Sequence, residues 1–163
     1  MKDEKPEILF RFPLTEVKEE GELAVKADAP AEQFAGMLTE GALVGPVTLE
    51  GVIRRAEDEA IFTGLVRGKW RFECSRCLTP VDGLWSESFE TSAPIDGGPM
   101  DLTEDARQSI GLAEPMKTFC KPDCKGLCPI CRKNLNTANC GHKAPVDTPD
   151  TVRPRLTPRH KKG

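Results

Sequence analysis

The 163-residue chain contains no tyrosine, two tryptophans and two histidines. So few large aromatics leave little surface on which unstacked bases could lie, so a protein partner or RNA shape suits the chain better than single-strand recognition. His142 and His160 are the only imidazoles, and no Ser-His-Asp set can be assembled away from the cysteine-rich end. Long apolar runs are missing too, which excludes a transmembrane helix. The opening MKDEKPEILFRFP interleaves charge with hydrophobes and lacks the apolar stretch of a secretory signal. Neither sign of charge dominates: a formal net charge of −3 argues against a chain that coats nucleic acid uniformly. A soluble, cytoplasmic protein is expected.

Turn formers and cysteine are plentiful instead. Charged residues make up 30% of the chain, with 14 glycines and 14 prolines, while hydrophobic residues reach 38%, enough for a modest core. Seven cysteines stand at positions 74, 77, 120, 124, 128, 131 and 140. In a reducing compartment structural disulfides are disfavoured, and an odd count leaves one sulfur over. With His142 the soft ligands number eight, which is two tetrahedral zinc shells.

Hydrophobic spacing places these ligands on a scaffold. PEILFRFPLTEV (6–17) reads as an extended segment broken by Pro13, and DAPAEQFAGMLTEG (28–41) as a short helix capped by Asp28 with Pro30 in its first turn. Three strand-like runs follow: VTLEGVIRRA, AIFTGLVRGKWRFEC and VDGLWSESFETS. In the middle run Val66, Gly68, Trp70, Phe72 and Cys74 alternate with Arg67, Lys69, Arg71 and Glu73, so one face is apolar and the other mostly basic. Cys74 ends the buried face and Cys77 falls in the turn after it. MDLTEDARQSIGLAEP suggests a second helix, capped by Asp101 or Thr103, that turns Leu102, Ala106 and Ile110 inward. The fold class expected is α+β: an antiparallel β-sheet with two or three short helices and a C-terminal zinc-knuckle segment. The expected divisions are a sheet domain over 1–117 carrying the first CxxC, a cysteine-rich zinc-binding segment over 118–142 packed on it, and a disordered tail over 143–163. That tail has four prolines and a net charge of +4.

Cys128-Pro-Ile-Cys131 has the spacing that lets both thiolates face one metal, and Cys140-Gly-His142 can close the tetrahedron. Zinc binding worth roughly 10–16 kcal/mol would fold a segment this poor in hydrophobes. Cys74, Cys77, Cys120 and Cys124 can form a second, all-cysteine site if the helix near 103–110 returns the chain to the sheet. A competing partition groups Cys124 with Cys128 and Cys131 and leaves Cys120 free. Two zinc ions are expected under the first partition, and one site fewer remains possible. Cys74 alone could also be a plain buried residue. A redox role for Cys74 and Cys77 fits poorly, because the pair ends a strand and is followed by Leu-Thr-Pro80, which continues no helix.

The stretch Phe72-Glu-Cys74-Ser-Arg76-Cys77-Leu-Thr-Pro80, with Cys120-Lys-Pro-Asp-Cys124-Lys-Gly-Leu-Cys128-Pro-Ile-Cys131-Arg-Lys-Asn134-Leu-Asn136, resembles the YceD family of bacterial and plastid proteins. The resemblance runs over roughly residues 8 to 142. It implies a non-enzymatic part in accumulation and processing of large-subunit ribosomal RNA, through binding that RNA or an assembly protein. A small zinc-ribbon ribosomal protein of the large subunit, whose gene often neighbours the family's, is implied as a partner. Two positions depart from the family pattern: Arg132 stands where glycine is usual, and Cys140-Gly-His142 replaces a closing Cys-x-Cys. The second exchange keeps a zinc ligand, whereas the first touches the backbone of the turn.

Three basic groups could meet phosphate. They are Arg67, Lys69 and Arg71 on the strand face; Lys121, Lys125, Arg132 and Lys133 on the knuckle; and Arg153, Arg155, Arg159, Lys161 and Lys162 in the tail. A charged strand face is more often simply solvated. Two other functional readings compete, a zinc-ribbon adaptor in a transcription or other protein complex and a CxxC thiol oxidoreductase.

Overall fold

In the computed structural model the described residues are 9–142. The expectations for 143–163, including Arg153, Arg155 and Arg159, therefore lie outside them. Three long strands, β3 (Ala42–Ala56), β4 (Glu59–Glu73) and β5 (Pro80–Pro94), form an antiparallel meander, as the three apolar runs predict. A fourth strand, β2 (Glu22–Pro30), lies outside β3, giving the order β2-β3-β4-β5. Before it come β1 (Arg11–Phe12) and helix α1 (Thr15–Glu20); after the sheet come β6 (Met100–Asp101), which pairs with β1, and helix α2 (Thr103–Leu112).

The pairing register decides which side is buried. Phe62 sits opposite Ile53, and Val66 opposite Leu49; Ile53 in turn faces Leu23 across β2. These side chains share one face, and Phe62, Ile53, Leu49 and Val66 are fully buried there beneath Phe10, Phe34, Leu102, Ala106 and Ile110. Each large apolar side chain so covered contributes roughly 1.5–3 kcal/mol. Leu102, Ala106 and Ile110 point inward as their spacing predicts, and the Asp101 carboxylate accepts the Thr103 N–H at 2.9 Å at the start of α2. The Thr103 hydroxyl accepts the N–H groups of Leu9 and Phe10, each at 3.0 Å, which ties the N-terminal segment to α2.

Two expectations fail. The helix read over 28–41 is absent: Asp28 and Pro30 finish β2, and only one 3₁₀ turn, Ala31–Phe34, follows. Asp28 accepts a hydrogen bond from the Thr48 hydroxyl across the sheet instead of capping a helix. The extended reading of 6–17 fails at its end, where Thr15 begins α1. Strand β2 was missed although Leu23, Val25, Ala27 and Ala29 alternate with Glu22, Lys26 and Asp28.

The middle strand behaves as read. Val66, Phe72 and Cys74 are buried, Gly68 and Trp70 half-buried, and Arg67, Lys69, Arg71 and Glu73 exposed. Trp70 packs edge-on against Phe72 with ring centroids 5.2 Å apart, and Trp85 is buried. Neither tryptophan is an open stacking platform. Beyond Glu73 the chain makes a tight connection: Cys74 N–H donates to the Thr79 carbonyl at 2.9 Å and Leu78 N–H to the Cys74 carbonyl at 2.9 Å. That turn is the platform for everything that follows. Among the described residues no helix is long and apolar enough to cross a membrane.

Candidate metal centres

The apolar face of β4 delivers Cys74 to the end of the sheet fully buried, and the turn brings Cys77 round beside it. After α2 the chain returns to this turn. Ser75 N–H donates to the Thr118 carbonyl at 2.8 Å, and Thr118 N–H donates to the Ser75 hydroxyl at 3.2 Å. Those two bonds aim the next residues at the first pair. The Sγ atoms of Cys77 and Cys120 lie 3.5 Å apart, and those of Cys74 and Cys124 3.8 Å apart. All four sulfurs fall within 4.8 Å of one another. A tetrahedron with metal–sulfur bonds of about 2.3 Å has edges of about 3.8 Å, so the spacing fits a four-thiolate centre.

The second cluster forms in the hairpin beyond. Leu127 pairs with Asn134, Cys128 N–H donates to the Lys133 carbonyl at 2.9 Å, and Arg132 N–H donates to the Cys128 carbonyl at 2.8 Å. The loop so closed holds Cys128 and Cys131, and Cys140 and His142 come back to it from beyond Asn134, the four ligand atoms again within 4.8 Å of one another. His142 Nδ1 is 3.8 Å from Cys128 Sγ, close to the roughly 3.6 Å edge expected for mixed sulfur and nitrogen ligands. Each cluster could hold a metal ion. Of the two partitions open in the sequence, Cys120 joins Cys74, Cys77 and Cys124, and Cys124 does not join Cys128. None of the seven cysteines forms a disulfide with another.

Electrostatics point the same way. Burial pushes the Cys74 thiol up, but the backbone amides of Arg76, Cys120 and Cys77 outweigh it and bring it down to about 6. Cys77 is lowered by the Thr79 hydroxyl and amide. Cys120, by contrast, is pushed up to about 12 by burial and by the sulfurs of Cys77, Cys124 and Cys74. Four sulfurs this close cannot all ionise unaided, because each thiolate opposes the next. A bound dication removes that conflict, so the donor set suits one. In the second cluster the amides of Cys131 and Ile130 bring Cys128 down to about 6 against its burial.

Arg132 resolves the first departure from the family pattern. Its φ is 58°, so an arginine adopts the left-handed turn that glycine would take freely. The knuckle geometry survives the exchange. Gly126, with φ 74°, answers a different need: a Cβ there would lie 3.1 Å from the Arg76 carbonyl, where the hairpin meets the first turn.

Of the strand-face cations two are paired, and Lys69 is exposed with no ion pair among the described residues. Arg67 pairs with Glu50 at 3.0 Å and Arg71 with Asp82 at 2.6 Å, so those two strand cations are already neutralised on the surface. Lys121, Lys125, Arg132 and Lys133 are exposed and make no ion pair with the described residues. Arg76 stacks over the Phe119 ring, 4.7 Å from its centroid, and donates to the Cys124 carbonyl at 3.1 Å. Sequence reasoning assigned no role to Arg76, Thr79, Asn134 or Asn136. The available signal was polar side chains lying between or next to the ligands.

Residues 86–157 match the family described as "Large ribosomal RNA subunit accumulation protein YceD", so the resemblance read from the cysteine motifs holds over that stretch. It includes Cys120 to His142 and leaves Cys74 and Cys77 outside. Uncharacterized proteins of Mycobacterium bovis and Mycobacterium tuberculosis are each 31% identical over 96 residues, covering 48% of this chain and 46% of theirs. One from Mycobacterium leprae is 26% identical over 108 residues, covering 55% of this chain and 49% of its own. The chain thus spans about half the length of the curated relatives it matches. No solved structure matches it.

Proposed function

We propose, from the match to a family named for large ribosomal RNA subunit accumulation, that this protein is a non-enzymatic factor in the synthesis, processing or stability of that RNA, and that it works by binding. Its working part is the segment 118–142, held in shape by two zinc ions and docked on the sheet domain formed by the residues before it. The first ion has Cys74, Cys77, Cys120 and Cys124 as ligands, and the second Cys128, Cys131, Cys140 and His142. A bound zinc supplies a fixed tetrahedral cross-link and no reaction, since four protein ligands leave no open position for substrate or water. Around it the chain presents Lys121, Lys125, Arg132 and Lys133 on rigid turns.

The observation that carries this reading is the freedom of those four cations. Arg67 and Arg71 have carboxylates of their own, whereas the knuckle cations are exposed without one among the described residues. Cations carried on an already ordered backbone cost no further main-chain ordering on meeting phosphate and release counterions when they do. Arg153, Arg155 and Arg159 would extend the same basic surface if the tail follows the RNA. The site is then a reader of RNA shape and backbone, because Trp85 is buried and Trp70 is half-buried with its edge against Phe72.

Sequencing RNA crosslinked to the tagged chain in cells tests the reading. Large-subunit precursors should be recovered, and recovery of transcription complexes without ribosomal RNA would favour the adaptor reading. In vitro, replacing Lys121 and Lys125 by alanine should weaken binding to a large-subunit RNA fragment and flatten its salt dependence by about 0.7–0.9 in log–log slope per lost contact. An unchanged slope would direct attention to a protein partner, the small zinc-ribbon ribosomal protein first. Elemental analysis should give two zinc ions per chain; one would remove one of the two assignments.

A further inference from the structure

The two clusters are separate in ligands but not in support. The Asn136 side-chain amide donates to Cys124 Sγ at 3.3 Å, so a residue of the second hairpin touches a sulfur of the first cluster. The same amide donates to Asn134 Oδ1 at 2.9 Å, and its oxygen accepts the Lys125 N–H at 3.0 Å. Asn134 reaches further: its amide donates to the Thr79 hydroxyl at 3.3 Å, which lies 3.3 Å from Cys77 Sγ. Leu127 N–H donates to the Arg76 carbonyl at 3.1 Å, fastening the hairpin to the turn between Cys74 and Cys77. One first-cluster sulfur, Cys124, is thus touched directly by a residue of the second hairpin, and a second, Cys77, is reached through Thr79.

We infer that the Asn134-Leu135-Asn136 turn couples the two centres, so that filling the Cys128/Cys131/Cys140/His142 site raises the metal affinity of the Cys74/Cys77/Cys120/Cys124 site. The inference rests on reading both clusters as metal centres. Closure of the second loop fixes Asn134 and Asn136, and their amides then meet Cys124 and Thr79 without a further loss of freedom. Outer partners of this kind typically change metal affinity by about 10–100-fold. Linkage makes the effect mutual, so filling the first site favours the second by the same factor. Asn134 and Asn136 are positioning residues here, acting on the metal through the sulfurs.

Cobalt(II) titration of the metal-free full-length chain under reducing conditions resolves the two sites, because four-sulfur and three-sulfur-one-nitrogen cobalt absorb differently. The variant Cys131→Ser with Cys140→Ser removes the second site and should leave the four-sulfur site about 10–100-fold weaker. Cys120→Ser should weaken the second site by the same factor. Asn136→Asp keeps the acceptor for Lys125 but loses the donor to Cys124, and should weaken the four-sulfur site while preserving its spectrum. Combined with loss of the second site, Asn136→Asp should cost less than the product of the two separate losses. Tryptophan emission from Trp70 and Trp85 checks that the sheet stays folded in every variant. Unchanged four-sulfur affinity after removal of the second site overturns the coupling, even if Asn136→Asp fails to fold. Absence of any cobalt–thiolate absorption in the unaltered chain would instead overturn the metal reading beneath it.

Discussion

At Arg132 the backbone takes a φ of 58°, in a region where a side chain costs roughly 1–2 kcal/mol. Directly after this residue the chain returns to the ligand loop, where Cys128 N–H donates to the Lys133 carbonyl at 2.9 Å. Arg132→Gly should therefore leave any bound metal in place and raise the stability of the metal-loaded knuckle by about 1 kcal/mol, and under the proposed RNA-binding function RNA affinity should fall with the lost cation. Thermal melting of the metal-loaded protein and a filter-binding titration check the two arms, and a loss of stability would show that the arginine side chain itself supports the turn. The ligand residues were legible in the sequence because cysteine spacing reports loop closure directly. Asn136 was not: a hydrogen bond from its amide to Cys124 joins two loops that a one-dimensional pattern keeps apart.

Among the elements, the segment between the 3₁₀ turn and β3 owes its place to a distant carboxylate. Glu114, just past α2, accepts the N–H groups of Thr39 at 3.0 and 3.1 Å and of Glu40 at 3.0 Å. These donors hold its carboxyl below the ordinary value of 4.5. A depressed folded value means that the tie is complete above 4.5 and is lost as pH falls through the lowered value. Protection factors at Thr39 and Glu40, taken relative to intrinsic exchange at each pH, should accordingly fall only on the acid side of 4.5, and in Glu114→Gln, which accepts more weakly, they should be low at neutral pH as well. Protection unchanged by Glu114→Gln would mean that neighbouring packing holds the segment. Strands β3 to β5 were legible from their alternation, as was α2 from Leu102, Ala106 and Ile110. The helix read over 28–41 was not real, since Phe34 is buried by the sheet and Met37 turns to solvent, so no continuous helical face exists. Tertiary packing overrode a local pattern that Asp28 and Pro30 made plausible.

The molecule as a whole has two interiors of different kinds. One is the apolar cluster from Phe10 to Ile110 beneath the sheet. The other is built around Cys74, Cys77 and Cys124, with Val81 and Leu127 the partly buried hydrophobics packed on it among the described residues. The first is held by burial and needs no ion; the second has too little apolar surface to pay for its own ordering. Chelation should thus abolish hydrogen-exchange protection over 118–142 while β2 to β5 stay protected and the emission of Trp70 and Trp85 is unchanged. Loss of protection throughout the sheet would show instead that the metal centres are part of its folding unit.

The sequence by itself determined the alternation that makes the long strands, the apolar face that ends at Cys74, and the supply of eight soft ligands in close pairs, because each of these depends on neighbours along the chain. Only the tertiary structure decided how the pairs combine. Cys120 and Cys124 lie more than forty residues from Cys74 and Cys77, and what unites them is the return of the chain from α2 and the bonds between Ser75 and Thr118. The same folding decided that Arg67 meets Glu50 and Arg71 meets Asp82, since an ion pair across a sheet follows from register, and register is a property of strands brought together.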